Sequence, residues 1–111
     1  MQAQGIESRA HHRHTLRTRG QLLFAGNAAI PVHTLDIGVG GMCVVCEMTL
    51  PSKIQGIIEF NMSVGHGQFE AMRVNIQVLH SIFCNKEDGF KVGLSFLKPS
   101  AELLKIIQQM V

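Results

Sequence analysis

The chain has 111 residues, of which 46% are hydrophobic and 16% charged, with a net charge of +2 and three cysteines. This composition excludes a disordered chain, and no apolar run approaches the about 20 residues that cross a membrane as a helix. A single domain of this length buries roughly two thirds of the surface that its unfolded form exposes, so folding requires neither a metal nor a disulfide. Residues 1–8 lack the basic start and apolar stretch of a secretory signal. With an odd number of cysteines, the expected compartment is the cytoplasm.

The charge is unevenly spread. Four of the five arginines, Arg9, Arg13, Arg17 and Arg19, fall close together and are interleaved with His11, His12 and His14, with Glu7 the one nearby acid. The rest of the chain is close to neutral. The positive field therefore belongs to an arm and not to a whole face, which suits a small, doubly charged ligand better than a long nucleic acid. The division expected is a flexible basic arm over 1–14 and a folded body over 15–111.

The segment from Leu16 to Phe24 ends in the first candidate strand, and Gly26-Asn27 supplies hairpin chemistry after it. Ala29 to Leu35 reads as a second strand, with Pro31 near its start, where the missing amide is tolerated. Asp36-Ile37-Gly38-Val39-Gly40-Gly41 reads as a tight turn, and Met42 to Cys46 as a short apolar strand. Leu50-Pro51-Ser52 breaks the chain before a further strand, Ile54 to Met62. A Gly65-His66-Gly67 turn leads into the longest extended stretch, Phe69 to Phe83, in which the even positions are mostly apolar.

A polar loop, Asn85 to Gly89, precedes the last strand, Phe90 to Phe96. Ser100 then offers an N-cap and Glu102 a first-turn acid. Leu103, Ile106, Ile107 and Met110 repeat at helical spacing, predicting a C-terminal helix over 100–110. Six strands with short loops and one terminal helix predict an all-β fold: a small six-stranded antiparallel β-barrel, closed so that no sheet edge is left bare, with the helix as its lid.

Few residues suggest other chemistry. Cys43-x-x-Cys46 has redox spacing, but in a strand positions three apart face opposite sides and no helix follows, which points to inert thiols. Cys84, His33 and His80 are the remaining zinc-ligand candidates, without the paired spacing of a metal site. Met42, Met48, Met62 and Met72 read as core filling. No Ser/His/Asp or paired-carboxylate arrangement emerges, so an enzyme is not expected.

Two short motifs remain. An R-x-x-x-R pair, Arg9 and Arg13, lies on the arm. After the 22 residues from His14 to Leu35 comes D-x-G-x-x-G, Asp36 to Gly41. With Gly93-Leu94-Ser95-Phe96 and the helix after Pro99, this order resembles the PilZ domain, a bacterial receptor module for cyclic di-GMP, over nearly the whole chain. Arg13 and Arg17 form a second R-x-x-x-R register; Glu7, two residues before Arg9, favours the first. The family pattern has serine or alanine most often where this chain has Gly38, a departure that bears on affinity and not on fold.

The resemblance implies a PilZ-like barrel of split-barrel type, cyclic di-GMP as ligand, and a site of Arg9, Arg13, Asp36, Gly38 and Gly41. Arginine's planar fork matches both the O6/N7 edge of guanine and phosphate oxygens, and the Asp36 carboxylate can accept from guanine N1 and N2. Gly38 to Gly41 would supply backbone amides and space. A serine hydroxyl is worth about 1 kcal/mol, so Gly38→Ser is expected to tighten binding modestly. The resemblance also implies that ligand orders the arm and remakes a surface for an effector protein, with a second copy of the chain as another candidate partner. Two alternatives stay open: an adaptor that has lost nucleotide binding and acts through protein contacts alone, and a small barrel that binds single-stranded nucleic acid. The absence of Trp and Tyr weighs against the second.

Overall fold

Hydrophobic alternation in the sequence becomes a ring of strands. The computed structural model describes residues 12–110. Its elements are β1 (His14–Thr15), β2 (Arg19–Leu23), β3 (Ile30–Ile37), β4 (Gly41–Cys46), β5 (Gln55–Gly65), β6 (Gln68–Cys84), β7 (Gly89–Leu97) and α1 (Ala101–Gln108). Strand order runs β3-β2-β5-β6-β7-β4, and β4 pairs back with β3, so six antiparallel strands close into the expected barrel. Closure leaves no bare edge within the barrel wall. The basic arm, including Arg9 and His11, lies outside the described residues up to position 11.

The inward positions form one core. Leu22, Ile37, Met42, Val44, Ile58, Met62, Ile76, Val78 and Val92 are fully buried, and Leu103 and Ile107 of α1 join the same cluster. The helix starts as its sequence predicts: the Ser100 side chain accepts from the Leu103 amide, and Glu102 lies in the first turn. Met42, Met62 and Met72 fill the core, whereas Met48 is half exposed, against expectation. It lies beyond the end of β4, where the barrel no longer covers it.

Three further departures from the sequence reading share one cause, a shift of strand register. The first candidate strand is β2, which begins earlier, at Arg19, and ahead of it stands a short strand, β1, that the sequence reading did not include. β1 pairs Thr15 with Asp36, but β2 pairs Arg19 with His33, one step out of phase. Thr34, the one buried polar side chain among the described residues, fills the break. Its hydroxyl accepts from the Thr18 amide at 2.9 Å and donates to the Leu16 carbonyl at 2.5 Å. Backbone groups that the ladder cannot satisfy are thereby paired, as buried amides and carbonyls must be.

The second shift is a bulge in β3. Thr34 pairs with Val44 but Asp36 with Cys43, leaving Leu35 as the extra residue. A strict period of two would put Asp36 on the inner face with Thr34. The bulge instead tucks Leu35 inside and turns Asp36 outward. The third lies in β6. Val78 pairs with Leu94 but His80 with Gly93, so Leu79 is extra and the even-position pattern ends at Val78. Beyond it His80 faces outward, Ser81 turns in to bond the Leu50 backbone, and Ile82 is exposed.

Candidate functional site

Asp36 is held by ladder pairing on both sides, to Thr15 of β1 and Cys43 of β4. β3 runs on through Ile37, so the turn proper is shorter than its motif and is closed by the Gly38 amide donating to the Gly41 carbonyl at 2.8 Å. A carboxylate at a strand end has less freedom than one in a loop, so its direction is set before any ligand arrives.

Arg13 meets that carboxylate. Its Nε and Nη2 both donate to Oδ1 of Asp36, at 3.0 and 2.5 Å. Among the described residues, this end-on contact engages only Oδ1 of the carboxylate and only Nε and Nη2 of the guanidinium. The two side chains are 43% and 36% exposed, so the pair contributes little to stability in water and remains open to exchange for another partner.

Gly38 shows why no side chain stands there. It is buried beneath the arm: a Cβ added to it would lie 2.8 Å from the His12 carbonyl oxygen and 3.1 Å from Cδ of Arg13. Serine at 38 therefore has to displace the seated arm, which the sequence expectation of a simple added hydroxyl did not include. Gly41 is tighter still, since an added Cβ would run into the Leu94 carbonyl of β7. Gly40 meets nothing within 4 Å. The two motif glycines at 38 and 41 thus bear contacts, while the third does not. His12 and His14, on either side of Arg13, stack at 6.2 Å between ring centroids.

Cross-strand pairing continues outward from this cluster. Thr15, Asp36, Cys43, Gly93 and His80 lie in one lateral row over β1, β3, β4, β7 and β6, on the outer face of the barrel. Cys43 is half-buried, and its burial together with the Asp36 carboxylate pushes its thiol above the ordinary range, Lys91 and Arg13 pulling weakly the other way. It is thus a neutral floor and not a thiolate. Cys46 faces the core, so the two cysteines do point to opposite sides. Among the described residues, no group of three or more His, Cys, Asp or Glu side chains is gathered closely enough to hold a metal ion. Among them, too, no helix is long and apolar enough to cross a membrane.

Of the five residues that the sequence nominated, Arg13, Asp36, Gly38 and Gly41 converge on one end of the barrel, and Arg9 lies outside the described residues. Sequence reasoning missed the row beyond Asp36. Gly93 stands out in the sequence only as part of a resemblance, and His80 only as a zinc-ligand candidate.

Comparison with known proteins agrees with this architecture. No curated protein sequence matches the chain. Among solved structures, the Bacillus subtilis inhibitor of motility MotI/DgrA superposes with a TM-score of 0.78 at 14% identity, over 98% of this chain and 49% of that one. The chain therefore spans about half the length of that protein. The PilZ domain of YcgR from Escherichia coli, solved with c-di-GMP, superposes with a TM-score of 0.65 at 18% identity, covering 88% of this chain and 84% of that one. A second structure of Escherichia coli YcgR in complex with c-di-GMP gives 0.72 at 20% identity, over 89% and 42%. These identities speak for the fold. The sequence itself matches the PilZ domain family over residues 7–111, nearly its whole length, and the chain belongs to that family.

Proposed function

We propose that the chain is a receptor for cyclic di-GMP, binding it on the outer barrel face with Arg9, Arg13, Asp36 and the Gly38–Gly41 turn. The observation that carries this reading is the Arg13–Asp36 contact: a guanidinium and a carboxylate from opposite ends of the site motif, already in register and exposed. Asp36 Oδ2 is available to accept from guanine N1 and N2, the donor edge that adenine lacks. Arg13 keeps donors for a phosphate oxygen or for guanine O6 and N7. Family membership, and the c-di-GMP present in the YcgR structures, support the choice of nucleotide.

Binding then exchanges one ion pair for two ligand contacts. Arg13 swings from carboxylate to nucleotide, Asp36 takes up guanine, and the arm over 1–14 closes onto the ligand. The remade surface is what an effector protein would recognise, so the output is contact and not catalysis.

Calorimetric titration of the whole chain with cyclic di-GMP, cyclic di-AMP, GTP and a short oligonucleotide tests this. Saturable binding of cyclic di-GMP alone is the expected result. Arg13→Ala should weaken it roughly tenfold to a hundredfold, the range of one charged hydrogen bond. Equal affinity for cyclic di-AMP, or no heat with any nucleotide, would overturn the proposal.

A further inference from the structure

The barrel wall has no bare edge, but β6 outruns the wall. Its ladder with β5 ends where Gln77 pairs with Gln55, and on that side only Val78 follows, exchanging backbone bonds with Lys53 and Ile54. β6 nevertheless continues to Cys84, with β7 along its other side. The chain at Leu50 meets Ser81 through the serine hydroxyl and not through a ladder. Past Val78, therefore, β6 is an edge strand, and among the described residues no strand lies along its free side.

The hydrogen-bond alternation fixes which groups stand on that side. The Phe96 amide donates to the Gly40 carbonyl, toward β4, so Gly93, Lys91 and Gly89 turn their amides and carbonyls toward β6. Ile82 and Cys84, opposite Lys91 and Gly89, face β7 in return. Ser81 and Phe83 consequently present their amides and carbonyls to the free side. Ahead of the bulge at Leu79 the same alternation predicts that Val78 faces β5, as its bonds to Lys53 and Ile54 require.

An unpaired edge of this kind accepts a further strand unless charge or proline guards it. From His80 to Asn85 there is no Lys, Arg, Asp, Glu or Pro, and Leu79, Ile82 and Phe83 are each more than half exposed. A second copy of the segment matches it group for group. With the two strands antiparallel about a two-fold axis at Ile82, Ser81 of either copy lies opposite Phe83 of the other, and each such pair exchanges both of its backbone bonds. Ile82 then meets its own counterpart, apolar on apolar, and no like charges are brought together.

We propose that the chain forms a two-fold dimer in which residues 80–84 of β6 pair antiparallel with the same residues of a second copy. The contact is isologous, so it closes at two chains and leaves no further edge of this kind. Arg13 and Asp36 lie on other strands and take no part, so the inference stands independently of the receptor reading. Five residues a side make a small interface, and association is expected at concentrations of about 100 μM.

Sedimentation of the nucleotide-free whole chain from about 5 to about 500 μM, a range that brackets that value, tests this. The wild type should pass from monomer to dimer. Ile82→Lys, which puts a charge at the axis, should remain monomeric, while Phe69→Lys, at an exposed apolar residue of the β5–β6 hairpin, should dimerise as the wild type does. Each variant is first confirmed folded by its thermal transition. The register has its own test: across the axis the Cα atoms of position 82 lie about 4.5 Å apart, within disulfide reach, so Ile82→Cys in a Cys84→Ser background should give a covalent dimer on mild oxidation, and Phe69→Cys in that background should not. A wild type that stays monomeric at the highest concentration overturns the proposal. So does a dimer that Ile82→Lys leaves intact, and failure of Ile82→Cys to cross-link overturns the pairing about Ile82.

Discussion

Two of the glycine turns in this barrel use glycine for opposite reasons. In the turn after β5, Gly65 and Gly67 have φ of 101° and 72°, with His66 between them at 55°, and an added Cβ at either glycine meets nothing within 4 Å. Backbone conformation is what glycine supplies there. In the turn after β3, no glycine has a positive φ, yet Gly38 is covered by the arm and Gly41 lies against the Leu94 carbonyl. Space is what glycine supplies there. A turn that needs only conformation is a connector; a turn that needs emptiness has something resting on it, here His12 and Arg13 over Gly38 and β7 against Gly41.

The largest effect that separates the two is expected at Gly41. Gly41→Ala drives a methyl into a strand backbone that has no rotamer to yield, an overpacking cost of about 2–3 kcal/mol or more. The unfolding midpoint should fall by about 10 °C or more. Gly41→Asn should be no better than alanine, because asparagine's tolerance of positive φ is irrelevant there. Recovery by asparagine would show that conformation and not contact governs the position.

At Gly67 the same pair of substitutions should reverse. Gly67→Ala places a Cβ in a left-handed conformation, at a cost of about 1–2 kcal/mol, while Gly67→Asn should regain much of it, since asparagine visits that region readily. Thermal unfolding of both variants checks this: alanine should lower the midpoint by several degrees, asparagine by less. Identical midpoints for the two would mean that the hairpin tip frays independently of the barrel.

Such a contrast marks the limit of what the sequence disclosed. Period-two patterns placed the strands, Ser100 and Glu102 placed the start of α1, and the spacing of Arg13 to Asp36 announced a pair that the fold does bring together. These signals are local, or belong to a motif. The bulges at Leu35 and Leu79 are not local: whether a residue is extra depends on what the partner strand offers, and neither Leu35 nor Leu79 differs in kind from its apolar neighbours. Consequently His80 reads as an inward position in the sequence and lies on the outer face in the fold. Thr34 is similar, since a hydroxyl in a strand says nothing of the broken ladder it mends. Both glycine turns likewise look alike as strings, because the atoms that press on Gly38 and Gly41 come from elsewhere in the chain.

The smallest expected effect, and the most informative for the site, is at Gly38. Its burden is the arm at His12 and Arg13 and not the barrel, so Gly38→Ser should leave the unfolding midpoint within about 2 °C, in keeping with the small worth of an exposed ion pair. It should show instead in the arm. Amide exchange at residues 12–15 of the nucleotide-free protein is expected to quicken by a few-fold, because a side chain at 38 and the His12 carbonyl cannot hold their present positions together. Gly40→Ala is the control within the same motif: with no neighbour within 4 Å, it should change neither midpoint nor exchange. Equal exchange in Gly38→Ser and Gly40→Ala would mean that the arm adjusts without loss, and that the emptiness at 38 does not govern how Arg13 is presented to Asp36.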